Sequence, residues 1–275
     1  MTTPHVSALH VYPVKALRGT STGNAVVEPW GLAGDRRWML VDAVTLKAVT
    51  QREQPRLALA AAVWDGESGL RLSAPGQPPL RVDVPAPAAL ETVRLFRDKL
   101  ELLPAGERAD AWFSTYLGIP VRLVHLDEPA LRRPVDPEFA LPGETVSLAD
   151  GYPLLVAATA SLDALNALIA EGRHAAEGPL PMNRFRPNVV VDGTAPWAED
   201  GWRRVRIGEV VFRVPKPCGR CVVTTTDQGT GARGKEPLHT LGRHRRVGSS
   251  LLFGQNLIPE SAGTLRVGDA LSVVE

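Results

Sequence analysis

Both cysteines of this 275-residue chain fall in one segment, Lys216-Pro217-Cys218-Gly219-Arg220-Cys221, with Thr224-Thr225-Thr226-Asp227 close behind. A thiolate is a soft nucleophile and metal ligand that forms most readily beside positive charge, so any cysteine chemistry belongs here. Spacing alone leaves several readings open. A structural disulfide would close almost no loop and remove little chain entropy. A zinc site needs four ligands, and His239 with His244 is the one suitably spaced pair downstream. A thioredoxin-like redox pair should follow a strand and open a helix. Residues 210–214 supply the strand, but residues 222–226 are all β-branched and read as a second strand. In the fourth reading one thiolate binds a transition metal or a cofactor, with Lys216 and Arg220 balancing anionic charge. Two buried thiols acting as small hydrophobes are the plain alternative.

Three other polar clusters could contribute. Lys15 ends the run Tyr12-Pro13-Val14-Lys15, and Arg36 follows the glycine turn in Gly31-Leu32-Ala33-Gly34-Asp35-Arg36-Arg37-Trp38. Both cations sit at strand ends, where side chains converge into an anion-binding wall, unless they are ordinary solvated cations. Asn183-Arg184-Phe185-Arg186-Pro187-Asn188 leads into the apolar Val189-Val190-Val191. Its fork-shaped donors suit phosphate or an oxyanion, or a bridge between loop backbones. Asp150-Gly151-Tyr152-Pro153 and the start of a helix at Ser161 offer backbone N–H groups to the same kind of anion. In Phe253-Gly254-Gln255-Asn256 the glycine permits close backbone approach and the amides can read a heterocycle edge. No nucleophile elbow, H-E-x-x-H or glycine-rich phosphate loop is present.

The elements that must position these residues read as mostly β. Residues 6–12, 25–27, 38–41, 57–64, 70–72 and 80–84 are short strand-like runs bounded by Gly, Pro or Asp, the spacing of a sandwich or barrel. Gly66-Glu67-Ser68-Gly69 closes a hairpin and residues 75–79 form a loop. Helices are expected over residues 107–117, stopped by Gly118, and over 161–170, with Ser161 as N-cap and Leu162, Leu165, Leu168 and Ile169 on one face. The Pro-rich stretch 128–144 reads as a long connection rather than a packed element.

Lys plus Arg number 31 against 30 Asp plus Glu, a net charge of +1, so no global field recruits nucleic acid or an anionic membrane. The longest apolar run, residues 57–64, is far short of the roughly 20 residues of a membrane span. Two cysteines and no secretory leader suggest a cytoplasmic setting.

Taken together and in order, Tyr12-Pro13-Val14-Lys15, Gly34-Asp35-Arg36-Arg37-Trp38, Thr50-Gln51-Arg52, Asp150-Gly151-Tyr152-Pro153, Arg184-Phe185-Arg186-Pro187-Asn188, Glu199-Asp200-Gly201-Trp202, Cys218-Gly219-Arg220-Cys221, Glu236-Pro237-Leu238 and Phe253-Gly254-Gln255-Asn256 resemble the MOSC (molybdenum cofactor sulfurase C-terminal) superfamily. The chain is similar to members with an N-terminal MOSC β-barrel domain, the branch of the amidoxime-reducing components and their bacterial relatives. Residues 82–103 and 126–144 carry little of the likeness.

The resemblance implies a mostly β, α+β fold of two β-barrel-like domains, residues 1–120 and 121–275, with a few helices and a cofactor cleft between them. It implies a molybdenum–molybdopterin cofactor whose metal is bound by Cys221, with Cys218 accessory. Lys15, Arg36, Gly151, Tyr152, Arg184, Arg186, Asn188, Arg220 and Thr224 fall where such members contact the cofactor. Ala16 stands where some relatives carry a hydroxyl. Asp227 is a candidate proton relay in catalysis, or a packing residue.

The implied activity is a molybdenum-dependent oxidoreductase that reduces small N-hydroxylated compounds to amines. An iron–sulfur extension needs about four more cysteines than the chain carries, so the electron donor is expected to be separate, of ferredoxin, flavoprotein or cytochrome b5 type. No pyridoxal phosphate is expected, because no desulfurase segment accompanies the MOSC-like part. A cofactor carrier or sulfur-delivery module without turnover is the alternative.

Overall fold

Short alternating strands can bury one face only by pairing, and in the computed structural model, which describes residues 3–275, they pair into four sheets. Met1 and Thr2, part of the segment read as leaderless, lie outside the described residues. The largest sheet runs Thr20–Thr22, His5–Val11, Val189–Asp192, Leu154–Ala158, Ser250–Pro259, Val210–Arg213, Arg204–Ile207, Leu271–Val273. Pro217–Gly219 and Arg246–Val247 also pair with Ser250–Pro259. Leu154–Ala158 and Val189–Asp192 are parallel, joined across the helix Thr159–Ala170. A lone bridge between His5 and Ala270 curls the first strand toward the last. The regular ladder stays open there, so the expected barrels are curled open sheets.

Trp38–Asp42, Val121–His125, Asp98–Pro104 and Glu91–Leu95 make a second sheet. The hairpin Ala61–Trp64, Leu70–Ala74 with Gln77–Val82 makes a third, and Gly263–Arg266 with Asn24–Glu28 and Gly31–Leu32 a fourth. One core joins Val6, Leu9, Val189, Phe212 and Leu257 inside the large sheet. Another packs Trp38, Leu40, Leu72 and Leu123 under Phe113 and Tyr116 of the helix Glu107–Leu117, which ends at a left-handed Gly118 as expected. Among the described residues, no helix is long and apolar enough to cross a membrane.

Several local expectations change. The run 57–64 is split: Pro55 opens a 3-10 turn over Pro55–Leu59, and only Ala61–Trp64 is strand. In the loop expected at 75–79 only Pro75 and Gly76 turn, and Pro78 and Pro79 lie on the edge strand Gln77–Val82, where a missing N–H costs no ladder bond. Ser161 is not an N-cap. The helix begins at Thr159, and Ser161 Oγ donates to Glu199 Oε2 at 2.7 Å while accepting from Trp197 N at 2.8 Å.

Residues 222–226 are not a strand. Thr224 Oγ1 donates to the Cys221 carbonyl and Thr225 Oγ1 to that of Val222, both at 2.8 Å, closing a 3-10 turn over Val222–Thr225. These local hydroxyl bonds outcompete the β preference of the side chains. The connection 128–144 is more packed than expected. Its Arg133 is 4% exposed and donates to Asp98 Oδ2 and to the carbonyls of Ser147, Ala149 and Asp150.

Candidate functional site

A cleft opens where the turns after His5–Val11 and before Trp38–Asp42 meet the loops 149–153, 185–188 and 218–224. It opens to solvent, with about 870 Å³ of space counted out to that opening. Cys218 and Cys221 are both free thiols on its wall. Cys221 Sγ accepts from Arg52 Nη2 at 3.4 Å, and Cys218 Sγ from Arg220 Nη1 at 2.8 Å. Arg220 is fixed in turn by donating to the Phe185 carbonyl at 2.6 Å, while its Nε is buried without a partner. Thr224, 1% exposed, lines the wall beneath Cys221.

The expected convergence of Lys15 and Arg36 is present. The Lys15 N–H donates to the Trp38 carbonyl and the Arg36 N–H to that of Tyr12, which ties the two turns together. Lys15 is 5% exposed, and its Nζ donates to the Leu148 carbonyl at 2.8 Å and to Asp150 Oδ1 at 2.5 Å. Burial lowers the ammonium to about 8, against the pull of Asp150. Arg36, at φ 47°, donates to Asp35 Oδ2 at 2.5 Å and to Asn188 Oδ1 at 2.9 Å. Asn188 also accepts from Leu155 N and donates to the His10 carbonyl, so it locks the wall as much as it faces the cleft.

The Tyr12 ring lies between two guanidiniums, 4.2 Å from Arg36 and 4.4 Å from Arg186. Burial pushes its phenol up to about 12 and lowers Arg186 to about 10. The Arg186 guanidinium makes no ion pair or hydrogen bond among the described residues. Gly151 and Tyr152 line the opposite wall. A Cβ on Gly151 would meet nothing within 4 Å, and Tyr152 Oη is buried without a partner.

Two expected site residues stand elsewhere. Arg184 does not line the cleft: it donates to the Thr225 carbonyl at 3.0 Å and pairs with Asp227 at 3.1 Å. Asp227 Oδ1 accepts from Gly229 N, Thr230 N and Thr230 Oγ1, so this carboxylate builds a turn. The N-terminus of the helix Thr159–Ala170 likewise faces Asp192 and Glu199 rather than the cleft. Gln255 is engaged by Asp200, whereas Asn256 reaches the cleft wall and donates to the carbonyls of Lys216 and Pro217. His239 packs edge-on against His174, away from the thiols, and no group of three His, Cys, Asp or Glu among the described residues is arranged to hold a metal. The zinc reading therefore has no ligand set.

Arg52 and Asp150 also line the cleft, although the sequence reading assigned their side chains no role. Arg52 touches Cys221 and lies 3.6 Å from Asp150. Desolvation by the cleft walls would raise the Asp150 carboxyl, but Lys15, Arg52 and Arg36 outweigh it and hold it well below the usual carboxylate range. Both residues sit in recognisable motifs, Thr50-Gln51-Arg52 and Asp150-Gly151, whose charges were the available signal. Two soft thiols, an orphaned phenol and several fixed cations suit an anionic, sulfur-rich metal cofactor.

Comparison with known proteins agrees with this chemistry. Residues 3–120 match the MOSC N-terminal beta barrel domain and residues 143–272 the MOSC domain. The chain is 34% identical over 283 residues to mitochondrial amidoxime-reducing component 1 of Homo sapiens, covering 96% of this chain and 81% of that protein. It is 32% identical over 284 residues to the Xenopus laevis protein of the same name, covering 96% and 80%. Molybdenum cofactor sulfurase of Oryza sativa subsp. japonica is 29% identical over 266 residues, 91% of this chain but 32% of that protein.

Proposed function

Since the chain belongs to the MOSC family, in its form that carries a MOSC N-terminal beta barrel domain ahead of the MOSC domain, we propose that it is a molybdenum-cofactor-dependent reductase of N-hydroxylated compounds, fed by a separate electron-donor protein. The observation that carries this reading is the meeting of Cys221 with Lys15, Arg36, Arg52 and Arg186 in one cleft. Cys221 Sγ is the protein ligand to molybdenum. Lys15, Arg36 and Arg186 bind the phosphate and pterin, and the open position at Gly151 lets that ligand approach the backbone. When bound, the cofactor supplies the two-electron couple that breaks the N–O bond.

The balance is R–NHOH plus two electrons and two protons giving R–NH2 and water. Asp150 is ionised at neutral pH and cannot donate a proton; it orients Lys15 and Arg52. Arg52 sits beside the thiol and Asp150, where it fixes the charge around the reacting position. Asp227 holds its turn and Arg184, so the proton-relay role moves off this residue. The stronger likeness favours the enzyme over a carrier: 34% identity to the amidoxime-reducing relative against 29% to the sulfurase.

Protein purified from a host that makes and inserts the cofactor should contain near-stoichiometric molybdenum. Cys221→Ser should lose it and Cys218→Ser retain it, as read by elemental analysis. Zinc, or no metal, in the wild type would overturn the reading. Bound molybdenum without turnover of hydroxylamine, driven by reduced methyl viologen, would favour the carrier.

A further inference from the structure

We propose that the helix Leu238–His244 and the hairpin after it, Arg246–Val247 with the start of Ser250–Pro259, form the docking face for an electron-donor protein with an acidic surface. This rests on the reductase reading above. Arg243, His244 and Arg246 are exposed, and none makes an ion pair among the described residues. Arg245 is already neutralised by Asp200 at 2.5 Å, so that carboxylate does not cancel its neighbours. The chain as a whole carries only +1, and the cluster is therefore a local feature rather than a reflection of net charge.

The face also carries exposed valines and a direct connection to the thiol. Val247 is 66% exposed and Val222 is 36% exposed. Val222 is covalently next to Cys221, and its turn Val222–Thr225 packs against the helix Leu238–His244. Arg220 N donates to the Leu251 carbonyl at 2.7 Å and Leu252 N to that of Arg245 at 2.9 Å, which fastens the hairpin to the cysteine loop. A donor seated on Val222 is thus one residue from the metal ligand.

Exposed like charges with exposed valines on the same helix, hairpin and turn suit the weak, electrostatically steered encounters of redox partners. Such docking suits this chemistry. Two electrons are needed per substrate, so a one-electron donor must bind, deliver and leave twice.

The test uses cofactor-loaded protein reducing hydroxylamine, driven either by reduced plant-type ferredoxin, an acidic protein, or by reduced methyl viologen, a small cation. Arg243→Glu with Arg246→Glu should lower ferredoxin-driven kcat/KM by about 10-fold at low salt, with the deficit shrinking as salt approaches about 0.5 M. Val247→Asp should act in the same direction. Viologen-driven turnover and Tm should stay at wild-type values in all variants. Unchanged ferredoxin kinetics would overturn the proposal, including the case where the charge reversals instead abolish binding to phosphatidylserine vesicles. A loss that appears equally with viologen would overturn it too. Wild-type protein active with viologen but inert with ferredoxin removes the docking face alone; wild-type protein inert with viologen removes the reductase reading and the proposal with it.

Discussion

Lys15 gives the cleft its sharpest dependence on pH. Burial lowers the ammonium from 10.5 to about 8, so between those values the unfolded chain binds the extra proton and the folded chain does not. Stability from this group therefore rises with pH from about 8 to 10.5, and below 8 both states are protonated and the folded state bears the full cost. A Tm-against-pH series should show that rise, and Lys15→Met should flatten it. Anion binding runs the other way: the affinity of cofactor-free protein for inorganic phosphate should fall as pH passes about 8, as read by titration calorimetry. Asp227 makes a contrasting case. Its bonds are to its own turn and to Arg184, which is 8% exposed, so Asp227→Ala should cost about 1–3 kcal/mol in urea unfolding and leave the pH–rate profile in place. Lys15 and Arg36 were readable as candidates because a cation just past a strand and another after a glycine turn sit where side chains converge at a sheet's end, though the segment alone left solvated cations open. Arg184 and Arg186 look alike in sequence, and only the path of the loop sends one to Asp227 and the other to the cleft.

At the scale of elements, the cysteine loop shows how local bonding overrides propensity. Five β-branched residues argue for a strand, yet threonine hydroxyls reaching back three residues close a turn that presents Cys221 at its start. Gly254 shows a sequence reading that carried through. It lies at φ +75° inside the long strand Ser250–Pro259, and a Cβ there would come within 2.7 Å of the Val156 carbonyl oxygen. Gly254→Ala combines a disfavoured backbone with a clash against backbone, and should cost on the order of 2 kcal/mol or more in thermal or urea unfolding. The helix Glu107–Leu117 was legible to its last residue because its stop signal is local, a left-handed glycine. The helix at Thr159 was misplaced by two residues because Ser161 finds its partners in Trp197 and Glu199, which no short-range pattern announces.

At the scale of the whole molecule, the chain is woven rather than strung. The strand His5–Val11 pairs with Val189–Asp192, and Asn24–Glu28 pairs with Gly263–Arg266, so the first strands share sheets with strands from the last third of the chain. Expressed alone, residues 121–275 should fail to fold, giving an aggregated or unfolded species by gel filtration and circular dichroism, and a peptide spanning residues 3–32 added in trans should recover part of the native signal. This weaving also explains what could be read in advance. The sequence by itself determined the β-rich class, the glycine stop of the helix Glu107–Leu117, the uniqueness of the cysteine segment and the cations available to it, because each depends on residue type and short spacing. The tertiary structure decided which cations share the cleft, that Arg52 and Asp150 belong with Cys221, and that Arg184 and Asp227 do not. Lys15 meets Asp150 across 135 positions and Arg52 meets Cys221 across 169, and such meetings are set by sheet pairing and loop paths that no local pattern encodes.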